Sequence, residues 1–439
     1  MANTELSQKH VRPFSGMVGL RLVRAAFLLI AAGLVLAAGG WYYFAYCWKP
    51  EQCLRAATDA LERRDTEEAQ RQLQQCLHYR PRDPRAHFLL ARTARMNNEL
   101  DQAQAELTAC EHLQNDKPDF ALGDIRLEWA LVEAQQGKLL DVEPYLRRRI
   151  RERHPDLLFI LDVVTWQLMW SWRLEEARAC LDIWLHEQPD SYEAHVRHGW
   201  VAEHRFQKEQ ALQDYRHALE IDPVQDFVRL RVAEILVQIN HAEEALPEIE
   251  AVCRRQSDNR DAILCHARCL RALGREQEAI PLLDNLLTRN ANDAQAMAER
   301  GIVALGQGHL DQAEGLLRRA VAQDPLNRQI NYNLLQCLKR LGKTEETKAI
   351  EAQLAKTDAS LDRLDKLVVE VMKSPHNANL RYEAGMIFLQ NGFTNEGVYW
   401  LETALKEDPR QRLSHQALAD HYARARDKER AAWHNQFLH

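Results

Sequence analysis

Two clusters in this chain hold side chains capable of chemistry. Cys265-His266-Ala267-Arg268-Cys269 sets two thiols four residues apart, which is one face of a helix and the spacing of a metal or thiol pair. Two thiols and a histidine on a different face do not complete a tetrahedral zinc site, so the cluster reads as helix core. His415, His421, His434 and His439 gather near the C-terminus without ligand spacing, and they read as solvated surface. No Walker A loop, Gly-rich dinucleotide turn, HExxH, GxSxG, CxxCH or paired CxxC occurs in the 439 residues. The expectation is a non-enzyme with no metal, no cofactor and no small-molecule substrate.

The elements that would position any site repeat. Glu-Ala or Gln-Ala returns at Glu68-Ala69, Gln102-Ala103, Glu176-Ala177, Gln210-Ala211, Glu244-Ala245, Glu278-Ala279 and Gln312-Ala313. The alanines are 34 residues apart except for one step of 74, which holds a further unit. A fixed period of this size means stacked helix pairs. With the alanine at position 20, eleven units begin near Pro50, Pro84, Gly123, Leu158, Tyr192, Asp226, Arg260, Ala294, Arg328, Ala378 and Arg412. Position 8 is small in most units, and position 27 is Cys76, Cys110, Ala218, Ala320 or Ala404 in five, which lets two antiparallel helices approach closely. Position 15 is Gly137, Gly274, Gly308, Gly342 or Gly392, or else Asn98 or Asn240. These residues tolerate the left-handed conformation that ends a helix. Position 32 is often proline, as at Pro81, Pro189, Pro223, Pro325 and Pro409, and proline cannot continue the second helix.

This pattern resembles the tetratricopeptide repeat; unit eight, ERGIVALGQGHLDQAEGLLRRAVAQDPLN, is similar to its consensus. The resemblance covers nearly all of 50–439 and implies an all-α superhelical solenoid of antiparallel helix pairs. The predicted order is a basic tail over 1–24, a transmembrane helix over 25–48, units one to nine over 50–360, an extra helix and linker over 361–377, and units ten and eleven with a cap over 378–439. Leu361, Leu364, Leu367, Val368, Val371 and Met372 form one apolar stripe. It is either an additional helix or an extension of the one before.

Ala25 through Trp48 reads AAFLLIAAGLVLAAGGWYYFAYCW without a charge. At 1.5 Å per residue it would span roughly 36 Å, enough to cross a bilayer. Its terminal aromatic residues suit the headgroup region. A cleaved signal peptide, cut near Ala37-Ala38-Gly39, is the competing reading. The chain carries −7 overall and +4 in its first fifty residues, so the remainder carries −11. An acidic body argues against non-specific nucleic-acid binding. The short basic tail places the body outside the cytoplasm, although nine cysteines, an odd number without framework spacing, lean towards a reducing compartment.

The resemblance implies that the first helix of each unit lines a concave groove. Three patches fall there. Phe159, Trp166, Met169, Trp170 and Trp200 form an aromatic one, which either packs inside the solenoid or anchors a partner. Arg268, Arg271, Tyr332, Gln336, Lys339 and Arg340 form a basic and polar one, a candidate for an acidic segment or a carboxylate. Arg92 and Arg95 with Phe88 form a weaker third. The expected function is a membrane-tethered scaffold binding protein or peptide partners. An envelope assembly factor with a chaperone-like cradle and a regulatory subunit of a membrane enzyme complex are the alternatives.

Overall fold

The computed structural model describes residues 36, 39–43, 48–114 and 122–438. From Lys49 onward the described chain forms 22 α-helices and no strand. The predicted transmembrane segment lies for the most part outside the described residues. Among the described residues no helix is long and apolar enough to cross a membrane. The chain divides into two compact bodies, Met1–Arg147 and Arg148–His439.

The first body holds the hairpins Lys49–Glu62 with Thr66–Tyr79 and Pro84–Met96 with Leu100–Gln114. Helix Leu122–Glu133 follows, and then a π-turn at Ala134–Lys138 leads into Leu139–Arg151, whose end passes into the second body. Arg92 and Arg95 are buried rather than exposed to a groove, and both guanidiniums donate to Glu128, which is itself buried. This corrects the expectation of a third surface patch. Burial pushes the Glu128 carboxyl up, but Arg95 and Arg92 outweigh it and hold it below its ordinary value.

The second body stacks eight hairpins, from Leu157–Trp170 with Leu174–Glu187 to Arg412–Arg424 with Lys428–Asn435. The 34-residue register explains the packing in both bodies. The position-20 alanines, including Ala69, Ala177, Ala245 and Ala313, have no exposed surface. A Cβ at Gly199, Gly301 or Gly385, all position 8, would lie 2.8–2.9 Å from Tyr215, Leu317 or Leu401 of the facing helix. Only a hydrogen fits there, so the two helices of a unit touch backbone to side chain. Position 15 is left-handed in all eleven units: Gly in five, Asn98 and Asn240 in two, and Arg64, Trp172, Phe206 and Arg426 in four.

Helix starts are capped by short polar side chains. Asp65, Ser191, Asp293, Asn327 and Asp427 each accept the backbone N–H three residues on. Units are clamped to their predecessors by a bond the sequence pattern did not announce. The residue at position 4 donates to a proline carbonyl six residues earlier: His195 to Pro189 (2.8 Å), Asn331 to Pro325 (2.8 Å), Arg381 to Pro375 and His415 to Pro409 (3.1 Å). Those carbonyls sit just past a helix end and have no helical donor.

Three expectations are settled by these elements. The apolar stripe after unit nine is an extension, because Thr344–Lys373 is one helix of 30 residues. The C-terminal histidines are not all solvated. His415 and His434 are buried, with their Nδ1 atoms 3.0 Å apart, whereas His421 is half-exposed and His439 lies outside the described residues. Cys265 and Cys269 are core residues, and burial pushes their thiols up to about 12 and about 11.

Candidate functional site

Helix Leu157–Trp170 is apolar at 11 of 14 positions, more than one core stripe needs. One side, with Ile160, Leu161, Val164 and Leu168, is buried. The other carries Trp166 and Trp170, whose rings meet edge to face at 5.7 Å and remain 44% and 49% exposed. The turn that follows puts Trp172 at position 15 with φ 56°, the left-handed slot that glycine or asparagine fills in most units. A bulky residue there is strained, and the strain delivers its indole sideways, 6.2 Å from Trp200 and 5.4 Å from His204.

The far wall comes from unit ten. The indoles of Trp172 and Trp400 lie 5.1 Å apart, and Trp170 lies 5.5 Å from Tyr399. Trp400 is fully buried in a core with Leu364, Leu367, Val371 and Ile387. The long helix Thr344–Lys373 supplies that core, so the apolar stripe is what seats unit ten against unit four. Between the walls lies a cavity of about 490 Å³ that also meets Val196 and Phe227. Aromatic contacts of this kind add about 0.5–1.5 kcal/mol each beyond area burial.

Polar groups around the cavity are few. Arg197 lies over the faces of Trp166 and Trp184, 5.4 and 5.3 Å from the ring centres. It donates to the Asp162 carboxylate, the Asp162 carbonyl and Thr165, so its charge is answered locally. Burial raises the Tyr399 hydroxyl above its ordinary pKa and lowers His204 below its own. Both are neutral near pH 7. The Tyr399 hydroxyl and the Trp400 indole N–H have no hydrogen-bond partner among the described residues. Glu396, exposed at the rim, has no ion-pair partner among the described residues.

Of the aromatic residues singled out in the sequence, Trp166, Met169, Trp170 and Trp200 line this cavity, and Phe159, two turns back, does not. The structure divides the patch. Met169 is buried, while Trp166 and Trp170 are open. Sequence reasoning missed Trp172, Tyr399 and Trp400. A tryptophan standing where other units carry glycine was the available signal for the first. Nothing local marked the other two.

The basic patch is a different matter. Arg268 and Arg271 both reach the buried Glu299, at 2.6 and 3.4 Å. Lys339 pairs with Glu351 at 2.7 Å, and Arg340 donates to the Leu305 carbonyl at 2.6 Å. Gln336 is half-buried, and Tyr332 is 44% exposed. Each of its cations thus has a partner within the chain.

The tetratricopeptide-repeat profile matches residues 54–117 and 298–346, and a second profile of that description matches 192–225. These are tetratricopeptide repeats. The repeat is a protein-interaction fold; the hairpins of units four and ten that wall the cavity lie outside the matched segments and keep the same 34-residue register. The chain is similar to the uncharacterized protein y4yS of Sinorhizobium fredii (strain NBRC 101917 / NGR234), 29% identical over 93 residues, which is 21% of this chain and 51% of that one. It thus spans about half the length of the curated relative it matches. Among solved structures it is similar to YrrB, described as a TPR protein with an unusual peptide-binding site. The identity is 18%, covering 54% of this chain and 96% of that one, with a TM-score of 0.29. It is also similar to the type IV pilus biogenesis factor PilW at 18% identity, covering 44% and 90%, with a TM-score of 0.39. Human IFIT1, a dimer with m7Gppp-AAAA, is 15% identical over 81% of this chain and 89% of that one, with a TM-score of 0.38.

Proposed function

We propose that this tetratricopeptide-repeat chain is a non-catalytic scaffold, held at a membrane by residues 25–48, whose second body recruits a protein partner. The observation that carries the reading is the open aromatic cavity between units four and ten. Two tryptophans stay about half exposed there, and a soluble surface rarely leaves such a patch uncovered without a binding role. The charge-free stretch before the repeats supports the tether. The short basic tail supports a body outside the cytoplasm. Cysteine chemistry is compatible with that side: seven of the eight described cysteines are buried, and burial pushes Cys76 and Cys110 up to about 12 and 11. Thiols that protonated and enclosed resist oxidation.

In-cell crosslinking followed by mass spectrometry, with wild type beside Trp166→Ala/Trp170→Ala, tests the scaffold. A partner recovered in quantity with wild type should be depleted in the double variant. Unchanged recovery with folding intact would remove the cavity from the function. Membrane fractionation of a chain lacking residues 1–48 tests the tether, and protease accessibility in spheroplasts tests the side.

A further inference from the structure

The cavity's chemistry is more specific than a greasy slot, and it defines what should enter. Its floor and walls are the indoles of Trp166, Trp170, Trp172 and Trp200, with Tyr399 and Trp400 opposite. Unit ten contributes Tyr399 and Trp400 to the wall, and their polar atoms are enclosed, so the surface they offer is aromatic. The rim carries one carboxylate, Glu396, which is exposed and pairs with no cation among the described residues. The cation in the wall, Arg197, is held by Asp162 and leaves Glu396 unanswered. Charge at the mouth is therefore negative, as it is over the repeats as a whole, and the aromatic faces also attract cations.

We propose that this cavity binds a basic, apolar segment of a protein partner. An aromatic or large aliphatic side chain enters the cavity against Trp166, Trp170 and Trp200, and a neighbouring Lys or Arg pairs with Glu396. The site is composite. Unit four supplies one wall and unit ten the other, and neither wall alone encloses a side chain. The inference rests on the scaffold reading above and narrows its partner.

The test uses the full chain and a display library of random twelve-residue peptides. Enriched peptides should carry an aromatic or large aliphatic residue within a few positions of a Lys or Arg. For one such peptide, fluorescence anisotropy should give at least a tenfold loss of affinity in Trp170→Ala, partly restored by Trp170→Phe. Glu396→Gln should lose roughly two- to fivefold and weaken the salt dependence. Both residues are exposed enough for the variants to fold, which circular dichroism checks. Enrichment of acidic or uncharged peptides, or no enrichment, overturns the assignment. Peptides bound equally well by wild type and both variants overturn it while leaving the scaffold reading standing, because binding then lies elsewhere on the repeats. A concentration-dependent dimer that Trp170→Ala dissolves would give the cavity to a second copy of the chain and also overturn it.

Discussion

The left-handed turn position offers one substitution with opposite consequences at two neighbouring units. Trp172 and Phe206 both occupy position 15, with φ of 56° and 59°. An L-residue held there costs roughly 1–2 kcal/mol, which glycine relieves. Glycine also loosens the unfolded chain, which takes back about 0.4–1 kcal/mol. Phe206 is 68% exposed and loses little packing when removed. Phe206→Gly is therefore expected to be neutral or to stabilise by up to about 1 kcal/mol. Trp172→Gly relieves the same strain but removes an indole packed on Trp400, Trp200 and His204. Truncating a core tryptophan costs about 3–5 kcal/mol, and for a half-buried ring the low end applies, so the net is a loss of about 2 kcal/mol. Urea unfolding of the full chain by circular dichroism gives the sign. Hydrogen exchange assigns it to units four and ten, which matters because repeat arrays need not unfold in two states. Equal signs for the two variants, or no loss of protection in unit ten for Trp172→Gly, would refute the argument that the strained turn exists to deliver the ring.

Three further outcomes follow from the packing and the charges. Gly301→Ala places a Cβ 2.8 Å from Leu317 Cγ and should destabilise by about 1–3 kcal/mol, read as a lower urea midpoint. Glu128→Ala leaves Arg92 and Arg95 buried without their carboxylate and should cost the first body about 3–5 kcal/mol, visible as lost exchange protection in units two and three. At the C-terminus, His415 Nε2 donates to Pro409, so its Nδ1 is the acceptor and His434 Nδ1–H the donor. Burial and the neighbouring His415 lower His434 to about 4. The unfolded chain takes up this proton near pH 6.5 and the folded chain only near 4. Stability of unit eleven is thus fully present above pH 6.5 and falls as pH drops towards 4, by no more than about 1.4 kcal/mol per pH unit. Exchange protection of Arg412–Arg424 measured across that window should decline in wild type and stay flatter in His434→Phe.

Much of the fold was legible because a solenoid's contacts are local. Gly199, Gly301 and Gly385 had to be small because a facing helix lies one residue's width away in the same unit, and a period of 34 records that constraint each time. The same holds for the left-handed turn at Gly274 or Asn240. The candidate site was half legible. Trp166, Met169, Trp170 and Trp200 stood out as an aromatic excess on one helix. For Arg268, Arg271 and Lys339 the sequence displays a cation without its counterion, and Glu299 and Glu351 become partners only once helices of the stack are side by side.

The helix pairs, their turns and the small-residue seams are written in the residue pattern, since each recurs with the 34-residue period. Helix packing decided that Trp172 meets Trp400 across 228 positions of chain, and, within one unit, which helix faces bring His415 and His434 to a shared buried hydrogen bond. The first contact depends on the small rotation from each hairpin to the next, accumulated over six units and adjusted by the 30-residue helix Thr344–Lys373. No single residue encodes that sum. The cavity exists where the accumulated turn brings unit ten back to unit four, so its walls were readable one at a time and its enclosure was not.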